Sequence, residues 1–341
     1  MDTWLNAGFT REMDMNNSNG HDLLKVKNLS KHYPLHTGVF KKSEIYILAV
    51  DDVTFTLARG ETFGLVGESG CGKSTLGRLI AGLEPPTAGE VLLEGENIFV
   101  AQRSGKKLEL ARNTQIIFQD PYASLNPRQT VGSIIGEGLE IHRVGTPADR
   151  KEKIIGLMKS VGLHEEHFNR YPHEFSGGQR QRIGIARALA LEPKLIICDE
   201  PLSSLDVSIQ AQVINLLLEI QEQYSLTYLF ISHDLNVVRH MCDRIAVMYV
   251  GKLVEMGTKT EVYESPAHPY TKALLASVPR LEPGSFQRGK ALKGDVPNPA
   301  SPPSGCYFHP RCKHSMPICR EEMPELALLD GNHYVRCWLY V

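Results

Sequence analysis

The nine residues Gly67-Glu-Ser-Gly-Cys-Gly-Lys73-Ser74-Thr75 constrain this chain more than any other stretch of it. Glycines at Gly67, Gly70 and Gly72 let successive backbone N–H groups turn inward around an anion, and a following helix points its positive N-terminal end at the same place. Ser69, Cys71 and Thr75 complete the cradle. Lys73 can reach the β- and γ-oxygens of a triphosphate, and the Ser74 hydroxyl can ligate Mg²⁺. The flanks agree: Thr62-Phe-Gly-Leu-Val66 is a short apolar strand entering the loop, and Leu76-Gly-Arg-Leu-Ile-Ala81 is a helical run leaving it. Strand, phosphate-cradling loop and helix in that order predict an α/β fold holding a nucleoside triphosphate.

Other chemistry is expected at the carboxyl ends of strands, where a parallel sheet presents it. Leu195-Ile-Ile-Cys198 is an apolar run ending in Asp199-Glu200. Asp199 can hold Mg²⁺, and Glu200 can orient or deprotonate an attacking water. Tyr228-Leu-Phe-Ile231 ends in Ser232-His233-Asp234, where His233 can hydrogen-bond a γ-phosphate. Gln119 closes the run Gln115-Ile-Ile-Phe118 just before a breaking Asp120-Pro121, so it can touch metal or water. Each of these alone also fits a solvated strand end; beside a P-loop the chemical reading gains weight. Ser176-Gly177-Gly178-Gln179 opens a helix over Arg180 to Leu191, with Ser176 as a good N-cap. Two glycines in a first turn cost about 1 kcal/mol each relative to alanine, which a merely capped surface helix does not explain. They allow an anion to approach the free N–H groups closely.

The chain divides in two. From residue 23 to 264, apolar runs alternate with amphipathic stretches, the pattern of a mostly parallel sheet with helices on its faces. Residues 265–341 form an extension. From 266 onward it holds 11 of the 20 prolines and four of the seven cysteines, so an irregular, tethered appendage is expected instead of more sheet. Pro297, Pro299, Pro302 and Pro303 read as the linker into it. Residues 1–22 are polar and carry Asp2, Glu12 and Asp14 without an apolar run, so a flexible tail is expected, neither signal peptide nor anchor. No segment approaches the roughly 18 apolar residues that span a bilayer, so membrane association is expected through a partner. A net charge of −2 gives no global cationic field, and no local basic patch is visible, which disfavours nucleic acid.

Taken together, these motifs resemble the ATP-binding subunits of ABC transporters. The loop Gly67–Ser74, Gln119, the signature Ser176–Gln179, the strand Leu195–Glu200, the turn Ser203-Ser204-Leu205-Asp206 and His233 occur in that family's order and spacing over residues 23–264. Two departures remove no catalytic group: Phe175 stands where leucine is usual and Ser204 where alanine is common. The resemblance implies a mixed sheet with a helical subdomain of about residues 120–190 that carries Ser176–Gln179, that Tyr33 stacks on adenine, that Asp206 lies at the nucleotide, and that Ser176–Gln179 serves the nucleotide of a second chain. Two ATPase subunits would then close head to tail around ATP and open on hydrolysis. Within the family, Gly67-Glu-Ser-Gly-Cys-Gly-Lys-Ser-Thr-Leu-Gly77, Gln119-Asp-Pro-Tyr-Ala-Ser-Leu-Asn-Pro-Arg128 and the tail Gly305-Cys-Tyr-Phe-His-Pro-Arg-Cys312 with Cys319 and Cys337 look like the second ATPase of oligopeptide and dipeptide importers. That likeness implies a sister ATPase, two transmembrane permeases, a peptide-binding protein and a peripheral place on the cytoplasmic face of the inner membrane. A soluble ABC-type ATPase acting on nucleic acid or the ribosome is the other reading, although the chain has neither a long coiled coil nor a second ATPase core.

The extension is too small to build its own core, and units below about 40 residues usually need a metal, a disulfide or a docking surface. Disulfides are disfavoured among reduced cytoplasmic thiols. Cys306, Cys312, Cys319 and Cys337 could instead be inert and docked, or could hold a metal. Their separations of five and six intervening residues are wider than the close pairs typical of structural zinc. The resemblance to peptide-importer tails implies a [4Fe–4S] cluster, with zinc as the alternative.

Overall fold

The structure, a computed structural model, describes residues 22–35, 45–277 and 294–341. The expected flexible tail over 1–22 lies outside the described residues except for Asp22, which opens the first strand. The twelve strands are β1 Asp22–Pro34, β2 Tyr46–Ala58, β3 Thr62–Val66, β4 Ala88–Leu93, β5 Glu96–Asn97, β6 Thr114–Ile117, β7 Leu195–Asp199, β8 Thr227–Ser232, β9 Arg244–Tyr249, β10 Lys252–Thr258, β11 Ala327–Asp330 and β12 His333–Val335. They form a four-stranded antiparallel sheet, β2-β1-β4-β5, and an eight-stranded mixed sheet, β11-β12-β10-β9-β3-β8-β7-β6.

The centre of the larger sheet explains the apolar runs. Every residue of β3, β7 and β8 is buried, as required of parallel strands covered on both faces. Period-two alternation sends their side chains to two cores. Leu195, Ile197, Leu229 and Ile231 meet the antiparallel sheet and the apolar face of helix Lys73–Ile80. Ile196, Cys198, Tyr228 and Phe230 meet helix Val207–Tyr224 and the helical region that carries Val131–Ile141, Pro147–Ser160 and Gly177–Leu189. The helices of that region follow β6 and precede β7 in the chain.

Register then places the chemistry. Val66 pairs with Ser232 and Asp199 with Ile231, all in parallel strands. The residues that follow β3, β7 and β8 thus leave the sheet together at one edge. These are the P-loop, Glu200 and His233.

The extension differs from the irregular appendage expected. Its last strands continue the central sheet: β12 pairs antiparallel with β10, Glu255 opposite Val335, and β11 pairs with β12. A buried carboxylate accounts for this. Glu255 is fully buried and accepts the N–H groups of Ala267 at 2.7 Å and His268 at 2.8 Å, while His333 Nε2 lies 2.7 Å from it. Three polar partners offset the desolvation of that charge and fasten the extension to β10 at two places. Tyr270 and Phe308 also pack into the core beside β9, so the extension shares a core with the ATPase region. Nor is the proline run a free linker. The carbonyl of Pro299 accepts the N–H of Leu48 at 3.1 Å and lies along β2.

His268 gives this docking a pH dependence. It is buried and its Nδ1 accepts the Tyr270 N–H at 3.0 Å, capping helix Pro269–Ala276. Burial pushes its pKa down to about 4. Against an unfolded value near 6.5, the unfolded chain binds more protons between those limits, so stability falls as pH drops from about 6.5 toward 4, by at most roughly 3 kcal/mol. His268→Asn keeps a capping acceptor without the titration. Its melting temperature is expected to fall less than that of the wild type between pH 7 and pH 5; equal falls would contradict this account.

Candidate functional site

A cavity of about 230 Å³ sits at the carboxyl edge of the sheet, lined by Ser69, Gly70, Gly72, Lys73, Ser74, Thr75, Gln119 and Glu200 with Ile47, Ala49 and Pro299. Eight of the residues singled out from the sequence are brought together there. Gly72 occupies the N-cap of helix Lys73–Ile80 at φ +107° with no side-chain cap, so the first-turn N–H groups remain available to an anion. A Cβ at this position would stand 1.9 Å from the Ala49 carbonyl oxygen, which leaves only glycine. Lys73 is buried, and its ammonium donates to the carbonyls of Gly67 at 2.9 Å and Glu68 at 3.1 Å. Cys71 is buried beneath the loop and does not line the cavity.

Oxygen donors for a hard cation lie beside the cradle. The Ser74 hydroxyl donates to Asp199 Oδ1 at 2.8 Å. Burial pushes the Asp199 carboxyl above its usual range, against the opposing pull of that hydrogen bond. A buried carboxylate and hydroxyl next to a phosphate cradle, with the Gln119 amide near, are a donor set that suits Mg²⁺.

Glu200 is held from two sides. Gln119 Nε2 donates to its Oε2 at 3.2 Å, and His233 Nδ1 lies 3.1 Å from the same oxygen. Its backbone adopts φ +47°, a left-handed conformation costing about 1–3 kcal/mol for a non-glycine residue. Hydrogen bonds fix it there: its N–H donates to the Ile231 carbonyl at 3.0 Å, and its carbonyl accepts from Ser203 N–H at 3.3 Å. The turn out of β7 thereby aims the carboxylate at the cavity. Such a carboxylate, positioned and only slightly exposed, can orient and deprotonate a water.

The remaining motif residues stand apart. Ser176 caps helix Gly177–Leu189 reciprocally, its hydroxyl accepting the Gln179 N–H at 3.3 Å while Gln179 Oε1 accepts the Ser176 N–H at 3.1 Å. Neither they nor Gly177 line the cavity. Gly178 has a packing reason that its sequence did not disclose: a Cβ would lie 2.5 Å from Ile209 Cγ2 on the neighbouring helix. Asp206 is exposed at the N-cap of Val207–Tyr224, with no side-chain cap bond. Tyr33 lies in β1 with its hydroxyl on Glu84 and Lys31 Nζ 5.1 Å above its ring, outside the cavity lining. Pro299, expected in the linker, lines the cavity instead; no local signal marks a proline as a cavity wall.

The four cysteines of the extension also converge. Cys306, Cys312, Cys319 and Cys337 line one small cavity of about 10 Å³ together with His268, His309 and His314. Cys312 and Cys319 Sγ accept the N–H groups of His314 and Met316, each at 3.4 Å. Burial pushes Cys306 up to about 11 and raises Cys312 and Cys337 as well. The donor chemistry suits a soft metal, but among the described residues no group of three or more His, Cys, Asp or Glu is placed to ligate an ion.

Comparison with known proteins agrees with both halves. The ABC transporter family model matches residues 50–203, and the model for the oligopeptide/dipeptide transporter C-terminal region matches 254–319. The oligopeptide transport ATP-binding protein AppF of Bacillus subtilis is 52% identical over 96% of this chain and 100% of its own length. The dipeptide transport ATP-binding protein DppF of Escherichia coli is 48% identical over 91% of this chain and 92% of its own. Among solved structures, the ATP-binding cassette MJ0796, a dimer in a post-hydrolysis state bound to ADP and phosphate, has a TM-score of 0.61 at 29% identity, covering 69% of this chain and 98% of that one.

The geometry separates binding from chemistry. Glu200→Gln keeps the polar contacts but removes the base, so nucleotide affinity is expected to stay within about threefold while turnover falls at least 100-fold. Lys73→Ala is expected to weaken binding itself in an equilibrium titration. Near wild-type hydrolysis by Glu200→Gln would remove that residue from the chemistry.

Proposed function

The chain belongs to the ATP-binding proteins of ABC transporters, and from that premise we propose that it hydrolyses ATP to power peptide import through membrane permease subunits. The observation that carries the reading is Glu200, oriented by Gln119 and His233 at a cavity that the P-loop also lines. In this reading the loop N–H groups and Lys73 bind the β- and γ-phosphates. Glu200 takes a proton from a water whose oxygen bonds to the γ-phosphorus as the bridging P–O bond breaks. His233 contacts the γ-phosphate, and Tyr33 stacks on the adenine. Mg²⁺ held by Ser74, Asp199 and Gln119 would supply charge neutralisation on the phosphates.

Ser176–Gln179 and Asp206 have no role in a cavity they do not line. Their place is proposed at the γ-phosphate of a sister ATPase set head to tail, each subunit completing the other's site. ATP then joins the pair, and loss of the γ-phosphate charge releases it. No helix among the described residues is long and apolar enough to cross a membrane. The chain is accordingly proposed to sit peripherally on the cytoplasmic face of the inner membrane, docked on two permeases that receive peptide from a binding protein. The names of its relatives and a net charge of −2 favour this over a nucleic-acid or ribosome ATPase.

For the extension we propose a soft-metal centre on Cys306, Cys312, Cys319 and Cys337, a [4Fe–4S] cluster ahead of zinc. Support comes from the convergence of four thiols and the two N–H···S contacts. Loading would have to displace the protons that burial favours and open the small cavity between the sulfurs.

Two measurements test these readings. Purified alone, the chain is expected to hydrolyse ATP poorly, with activity rising when the sister ATPase and permeases are added; robust turnover independent of protein concentration would contradict the shared site. Protein prepared without oxygen is expected to contain about four iron and four acid-labile sulfide per chain. One zinc without iron would select the alternative, and metal-free protein with four titratable thiols would exclude both.

A further inference from the structure

The P-loop is held by the extension at Glu68, a residue to which the family motif gives no chemical task. All its hydrogen-bonding groups are engaged. Its N–H donates to Tyr270 Oη at 2.9 Å, its carbonyl accepts Lys73 Nζ at 3.1 Å, and its carboxylate accepts both terminal nitrogens of Arg311, Nη1 to Oε2 at 2.7 Å and Nη2 to Oε1 at 3.0 Å. Two of those three partners, Tyr270 and Arg311, come from beyond residue 264. The Arg311 side chain is 5% exposed and that of Glu68 23%, so the fork is largely withdrawn from water.

Arg311 is itself fixed. It ends the 3₁₀ turn His309–Arg311, directly before Cys312, and Nη1 also donates to Tyr249 Oη at 3.3 Å. Tyr249, Tyr270 and Phe308 pack behind it with ring centroids 4.6–5.4 Å apart. Hence the cysteine turn and the phosphate loop share a rigid joint. A bidentate, charge-assisted pair fixes both the direction of the Glu68 side chain and the local charge. Without the guanidinium, a partly buried carboxylate would be unpaired in a loop that must receive phosphates.

We propose that Arg311 is a positioning residue for nucleotide binding: it holds Glu68, preorganises the P-loop and neutralises a carboxylate that would otherwise oppose the triphosphate. The proposal rests on the reading of this loop as the Mg-ATP site. It makes the extension part of the ATP-binding apparatus, connected through Cys312 to the cysteine cavity.

Equilibrium titration of the full chain with Mg-ATP tests it, alongside turnover of the assembled complex at saturating ATP. Arg311→Ala is expected to raise the Kd about tenfold, less than the usual loss at a fully desolvated charge pair because Glu68 keeps some contact with water, while kcat stays within about twofold. Arg311→Lys, a point charge in place of a fork, is expected to fall between. Adding Glu68→Gln to Arg311→Ala is expected to recover most of the lost affinity, because the stranded charge is gone. Wild-type affinity in folded Arg311→Ala would overturn the proposal alone, as would a double variant no tighter than the single one. Should Arg311→Ala not fold, Arg311→Lys and the double variant carry the same comparison. Failure of the wild type to bind Mg-ATP would overturn the ATP reading and the proposal together.

Discussion

Parallel pairing of β8 with β3 on one side and β7 on the other is the constraint on which the site depends. It aligns the carboxyl ends of three buried strands, and the segments leaving them, Gly67–Thr75, Glu200 and His233, have no choice but to meet. Period-two alternation of fully apolar side chains holds that register, since a one-residue slip would exchange the faces of Ile196 and Ile197, or of Phe230 and Ile231, between two packed cores. Removing one of these side chains to alanine typically costs about 2–5 kcal/mol, comparable with a large share of a domain's net stability. Catalytic geometry and fold stability therefore rest on the same packing.

At the edge of that sheet the backbone carries local strain and close contacts. Glu200 sits at positive φ and Gly72 admits no side chain. Two hydrogen bonds hold the first and a carbonyl contact imposes the second, so the site is set before a nucleotide arrives. Preorganisation of this kind suits phosphoryl transfer, where positioning and electrostatics supply most of the rate. The extension adds to it through buried charge. Glu255 ties strands and helix of the extension to β10, and Arg311 ties its cysteine turn to the P-loop.

The sequence makes the centre legible and the periphery much less so. Thr62–Val66, Leu195–Cys198 and Tyr228–Ile231 are apolar runs of strand length bounded by polar turns, and the structure has strands there. The P-loop and the residues around Glu200 are equally legible because their chemistry needs fixed residue types at fixed offsets. By contrast β11 and β12 are four and three residues long, too short for a period, with Leu328 and Leu329 exposed. Glu255 looks in sequence like an ordinary surface charge in a strand, and only three distant partners reveal its burial. Pro299 and Arg311 act through contacts with residues more than 200 positions away, which no local pattern encodes. The two glycines of the signature show a mixed outcome: their unusual presence is visible, but the packing of Gly178 on Ile209 is not.

In the proposed function this site converts ATP hydrolysis into peptide movement across a membrane. Uptake of a labelled dipeptide or oligopeptide by vesicles containing the chain with its sister ATPase, permeases and binding protein tests it most directly. The expected result is accumulation with Mg-ATP and none with a non-hydrolysable analogue. Accumulation that proceeds equally with the analogue, or ATP turnover by the assembled complex without any peptide accumulation, would contradict it.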